Sequence, residues 1–107
     1  MEKKFTVKFT GASAKEYSFD FYNLGGNWNE IAGVYLMARY DEEKNKVYPI
    51  YIGETDNLKN RLFNHHKQSC FDKNNANVLG WIGETIEKNR LAIEEDLKNG
   101  LKPPCND

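Results

Sequence analysis

The chain has 107 residues and a mass of 12.4 kDa, the size of one compact domain spanning 1–107. Fifteen Lys and Arg against sixteen Asp and Glu leave a formal charge of −1, which excludes a polybasic nucleic-acid binder but not a local basic groove. No run approaches the ~20 apolar residues of a membrane span, and the Met-Glu-Lys-Lys start has no apolar core of a secretion signal. Two cysteines, Cys70 and Cys105, match no disulfide framework and read as reduced thiols, so a cytoplasmic protein is expected.

In chain order, β structure comes first. Phe5, Val7 and Phe9 alternate with Lys and Thr, and Tyr17, Phe19 and Phe21 alternate with Ser18 and Asp20. The polar segment 11–16 between them is the length of a hairpin loop. Gly25-Gly26 breaks the pattern. A second pair follows, 33–40 and 47–53, joined by the charged loop 41–46. Pro49 lacks an N–H, so its strand is expected to be an edge or to carry a bulge.

Helical signals appear only afterwards. Thr55 or Asp56 can cap a helix in which Leu58, Leu62, His65 and Ser69 recur at helical spacing. Segment 71–77, rich in Asn, Asp and Lys, reads as a loop, and 78–82 as a short buried strand. Thr85 is expected to cap a last helix with Ile86, Arg90, Ile93 and Leu97 on one stripe, stopped by Gly100 and Pro103-Pro104. Strands gather in the first half and helices in the second, which predicts an α+β fold with an antiparallel sheet.

Three groups of residues ask for a chemical account. Tyr35 and Tyr51 fall on strands expected to pair, with Tyr51 facing away from Ile50 and Ile52. Arg61 and His65, four apart, would share a face of the first helix. Glu94 borders the apolar stripe of the last helix, where an ion pair with Arg90 is the ordinary alternative.

Taken together, Gly33-Val34-Tyr35, Tyr51-Ile52-Gly53, Asn57-Leu58-x-x-Arg61-Leu62-x-x-His65 and Glu94-x-x-Leu97, followed by Pro103 and Asn106, resemble the GIY-YIG nuclease domain. The resemblance runs over 32–106, which leaves 1–30 as an N-terminal β-hairpin extension. It implies a small antiparallel sheet flanked by helices and a metal-dependent endonuclease that hydrolyses phosphodiester bonds in DNA.

Carried over residue by residue, the resemblance makes Tyr35, Tyr51, Arg61, His65 and Glu94 the catalytic set. Glu94 would be the ligand of one Mg²⁺ or Mn²⁺, since a hard cation needs only one carboxylate beside waters and phosphate. Arg61 would donate to phosphate oxygens, and Tyr35 or Tyr51 would position or deprotonate the water. Gly33, Gly53, Asn57 and Asn106 would support the site, while Lys59 and Lys67 are candidates for DNA contact. Glu54 stands where excision-repair members of the family carry a lysine, and an acid there would raise a neighbouring tyrosine's pKa.

Two readings of function follow. The first is the nuclease, acting on DNA with specificity supplied by a protein partner. The alternative is a catalytically degenerate GIY-YIG scaffold serving as a nucleic-acid- or protein-interaction module. Trp28 and Trp81 read as core or rim packing rather than as platforms for stacked bases.

Overall fold

The computed structural model describes residues 2–106. Eight elements follow in the order β1 (Phe5–Thr10), β2 (Glu16–Asn23), β3 (Gly33–Asp41), β4 (Lys46–Thr55), α1 (Leu58–Leu62), α2 (Gln68–Lys73), β5 (Val78–Gly83) and α3 (Glu87–Leu101). The strands form one antiparallel sheet in the order β1-β2-β5-β3-β4. The fold is therefore α+β, as the sequence predicts, and β1–β2 is the added hairpin, attached through β2 to β5.

Both faces of the sheet are covered. Phe19, Phe21, Val34, Leu36, Ile52, Val78 and Leu97 make one apolar cluster, in which α3 supplies Leu97. Tyr35, Met37, Ile50, Tyr51, Leu58, Phe71 and Leu79 make the other, closed by α1 and α2. Truncating Leu97, which is fully buried, would cost about 2–5 kcal/mol.

β4 is an edge strand and also carries a bulge, the two places where Pro49 is tolerated. Met37 faces Tyr51 and Ala38 faces Pro49, which leaves Ile50 as the extra residue. The bulge overturns one expected orientation. Ile50 joins Tyr51 in the same cluster, and only Ile52 points to the opposite face.

The helical half departs further from the pattern. The single helix expected through Leu58, Leu62, His65 and Ser69 is two short helices. α1 ends at Leu62, and Asn64 takes a left-handed φ of 56° that continues no helix. Part of the expected loop 71–77 belongs to α2, anchored by the buried Phe71.

α3 starts at Glu87, not after a Thr85 cap. Ile86 holds the cap position without a side-chain bond, and the Glu84 carboxylate accepts from its backbone N–H at 3.1 Å. Ile86 is exposed, so the buried stripe begins at Arg90. Gly100 lies inside the helix rather than stopping it. A Cβ there would meet the backbone of Gly11 and Ala12, so glycine permits the close approach of α3 to the β1–β2 loop. Asp96 fastens that approach, accepting from Ser13 N (2.8 Å), Ser13 Oγ (2.7 Å) and Tyr17 Oη (2.7 Å). The Ser13 and Tyr17 bonds hold its carboxyl below the ordinary value. The contact therefore contributes fully above the usual carboxyl pKa, and its contribution is lost progressively as pH falls from that value to the lowered one.

The cysteines are not reduced thiols. Cys70 of α2 and Cys105 of the C-terminal tail form a disulfide, with Cα atoms 6.0 Å apart. Their 35-residue separation hid the pairing, because the tail meets α2 only through tertiary folding. The bond removes the argument from free thiols for a cytoplasmic location. Among the described residues, no helix is long and apolar enough to cross a membrane. Reduction, or the Cys70→Ser/Cys105→Ser double variant, should lower stability by about 3–4 kcal/mol on loop-closure grounds. Urea unfolding with and without reductant measures it, and coincident midpoints would contradict it.

Candidate active site

Tyr35 and Tyr51 meet on the face opposite α3's Leu97. Tyr35 is paired with Gly53 and Met37 with Tyr51, so the tyrosines are diagonal neighbours with ring centroids 6.0 Å apart. Gly53 is required by this packing. A Cβ there would overlap the Tyr35 ring and hydroxyl, both on the neighbouring strand. Gly33 is required likewise, since its missing side chain makes room for the Trp81 indole.

His65 reaches the tyrosines from the turn between α1 and α2, not from Arg61's helix face. It is 5% exposed, wedged edge-on against Tyr35 and Tyr51 and beside Phe71, with ring centroids 5.9, 5.3 and 4.8 Å away. His66 stacks on it at 4.6 Å. Residue spacing could not place His65, because the left-handed Asn64 reverses the chain. Phe71, which braces it, was readable only as a lone large apolar residue in a polar run.

The hydrogen bonds of His65 decide its tautomer. The Lys67 backbone N–H donates to Nδ1 at 3.0 Å, so Nδ1 carries no proton. Nε2 then bears the hydrogen and donates to Tyr35 Oη at 2.7 Å. Burial, followed by the charges of His66, Arg61 and Lys67, lowers the His65 pKa to about 4. The ring is neutral at neutral pH. Because the unfolded ring protonates near 6.5, stability should fall as pH drops from about 6.5 to 4. His65→Gln should flatten that part of the pH–stability curve.

A direction follows along the three groups. With its oxygen accepting from His65, Tyr35 keeps its own proton free, and the Tyr35 hydroxyl beside Tyr51 favours the ionised form of Tyr51. Burial nonetheless raises both tyrosines, and the Glu94 charge raises Tyr51 further, while Arg61 lowers both. Arg61 and Glu94 thus both lie within electrostatic reach of Tyr51, and Arg61 also of Tyr35. Among the described residues, no ion pair joins Arg61 to Glu94.

The Arg90–Glu94 pair considered from spacing does not form. Arg90 is buried and binds Glu54, Nε to Oε2 at 2.9 Å, while its Nη1 donates to the Thr85 carbonyl at 2.8 Å. Glu54 is thereby committed to a cation 36 residues away, which no local pattern shows. Replacing it with lysine would set a second cation against a buried guanidinium. Glu54→Lys should cost about 3 kcal/mol rather than assist tyrosine ionisation. A thermal midpoint equal to the unsubstituted protein's would contradict this.

Glu94 has no close cationic partner among the described residues, and burial raises its carboxyl pKa. No group of three or more His, Cys, Asp or Glu side chains among the described residues could cage a metal. One partly buried carboxylate fits Mg²⁺ or Mn²⁺ held chiefly by water and phosphate, and does not fit a zinc-type cage.

The supporting residues act through the backbone. Asn57 caps α1 by accepting from Asn60 N at 3.1 Å. Asn106 brackets Ile52, accepting from its N–H and donating to its carbonyl, both at 2.8 Å, which fixes β4 beside Tyr51. Cys105 N–H adds a bond to the Ile50 carbonyl at 3.0 Å, so the disulfide links α2, the tail and the tyrosine strand. Lys59 is exposed on α1, and Lys67 contributes its backbone to His65.

Residues 31–106 match the family model described as the GIY-YIG catalytic domain. Two curated relatives are each a UvrABC system protein C. That of Aquifex aeolicus is 38% identical over 90 residues, covering 78% of this chain and 15% of the relative. That of a Hydrogenobaculum species is 36% identical over 83 residues, covering 72% and 14%. The chain thus spans about one seventh of the length of these relatives. No solved structure matches significantly.

Proposed function

Because the chain belongs to the GIY-YIG catalytic domain family, we propose that it is a metal-dependent endonuclease cutting phosphodiester bonds in DNA, with 32–106 as its catalytic core. The observation that carries this reading is the His65–Tyr35 hydrogen bond, which leaves the Tyr35 proton free beside Tyr51, with Arg61 and Glu94 within electrostatic reach of Tyr51.

Tyr51 serves as the base in this reading, and Tyr35 as the donor that stabilises its phenolate. His65, whose Nδ1 is occupied, cannot take the Tyr35 proton through Nε2 and instead holds the Tyr35 oxygen. Arg61 binds the non-bridging phosphate oxygens with a charge that no pH in the working range removes. Glu94 would hold one divalent cation, which when bound polarises the phosphate and steadies the leaving 3′ oxygen. The Glu54 argument for a non-catalytic module loses its force, since Arg90 neutralises that carboxylate.

Incubation with plasmid, linear and branched DNA in Mg²⁺ or Mn²⁺ tests the proposal, beside Arg61→Ala. Metal-dependent strand scission that Arg61→Ala weakens together with DNA binding is expected. Intact DNA under every condition would refute it.

A further inference from the structure

Trp28 and Trp81 pack, as expected, at the rim of the cluster that holds the tyrosines, and each keeps part of its surface open. Both are half-buried and, with Tyr22, wall an open pocket whose floor is Leu58. Asn27 and Asn29 stand at its rim. Among the described residues, the two indole N–H groups, the Tyr22 hydroxyl and both rim amides have no hydrogen-bond partner. Three π-faces beside unused donors and acceptors suit a flat heterocycle with a polar edge.

The surroundings define what that heterocycle belongs to. Trp81 pairs directly with Tyr35 across β5 and β3, so its side chain lies on the same face, one strand away. No charged side chain lines the pocket. Beyond Trp81 lies an acidic cavity lined by Glu30, Asp56 and Glu84, which repels phosphate. Beyond Trp28 lies a groove lined by Lys59, Asn60 and the exposed Phe63 on the α1 side. A backbone crossing Lys59 and Arg61 would bring its bases, not its phosphates, to the indoles.

We infer that the Trp28–Trp81 pocket takes an unstacked nucleobase of the DNA engaged at the tyrosine site. DNA with an unpaired nucleotide beside the cut is then the preferred substrate class. The inference deepens the nuclease reading and rests on it for the presence of DNA. Stacking on aromatic side chains tolerates any base, so the preference is for structure rather than sequence.

The test measures binding in EDTA, where nothing is cut. Two duplexes of equal length are compared, one carrying 2-aminopurine in a single-nucleotide bulge and one carrying it fully paired. The unsubstituted protein should bind the bulged DNA at least about fivefold more tightly and quench the bulged 2-aminopurine. Trp28→Ala, in an exposed loop, should erase the preference and the quench while leaving paired-duplex affinity within about twofold. Asn29→Ala, exposed at the rim, should reduce the preference if Trp28→Ala unfolds the loop. Arg61→Ala should weaken both DNAs alike. Equal affinity for the two DNAs, an equal loss on both in Trp28→Ala, or no binding of either would overturn the inference. Cleavage in Mg²⁺ without the preference would remove the pocket and keep the nuclease, whereas the preference without cleavage would do the reverse.

Discussion

Glu94→Gln should abolish metal-supported cleavage, by about 10³-fold or more, while making the protein slightly more stable. The two effects share one cause. Burial raises the Glu94 carboxyl pKa, so the folded state disfavours the very charge a divalent cation needs. Glutamine keeps the shape and removes that charge. The sign is the one for a raised carboxyl: the ionised form destabilises the fold at neutral pH, and neutralising it recovers stability. The loss of rate corresponds to several kcal/mol of electrostatic stabilisation of the transition state. DNA binding in EDTA should hold or tighten, because one negative charge near the phosphates is gone. Scission in Mg²⁺, DNA affinity in EDTA and the thermal midpoint together check the prediction. Unchanged scission would place the metal elsewhere, and a lowered midpoint would make Glu94 structural.

Tyr51→Phe should slow cleavage by about 10²–10⁴-fold with DNA affinity retained, the loss expected of a removed general base. Tyr35→Phe should be milder, since it removes only the donor that favours the Tyr51 phenolate. His65→Gln should be milder still, about five- to tenfold, the worth of one hydrogen bond. The pH–rate profile separates these roles. Burial and Glu94 hold the Tyr51 pKa above 10, so the phenolate is a minor species at neutral pH. The rate should climb about tenfold per unit from neutral into the alkaline range. No inflection should appear near 6.5, because His65 stays neutral down to about pH 4. A profile flat from pH 6 to 9, or a Tyr35→Phe protein slower than Tyr51→Phe, would reverse the assignment of the base.

Much of this was written locally. The alternation of Phe5, Val7, Phe9 and of Tyr17, Phe19, Phe21 determines strands, because period two leaves one face apolar whatever the partner. Tyr35 and Tyr51, each next to or near a glycine, with Arg61 and Glu94 following in order, were legible as a set because residue identity and spacing are properties of the chain itself. The β4 edge or bulge could be expected too, since Pro49 has no N–H to give a central ladder.

Tertiary structure decided what depends on contacts between distant segments. Spacing put His65 on the helix of Arg61, but the left-handed Asn64 and the buried Phe71 turned it into the site and set its tautomer. Glu54 looked like a hostile charge beside Tyr51 until Arg90, 36 residues on, claimed it. Cys70 and Cys105 gave no local sign of pairing, because the tail that carries Cys105 lies beside α2 only through its hydrogen bonds to β4 in the folded chain. Trp28 and Trp81 form one pocket only because β5 is inserted between β2 and β3. Strand and helix preferences act over a few residues and are legible in one dimension, whereas ion pairs, disulfides and proton positions are set by whichever partner folding delivers.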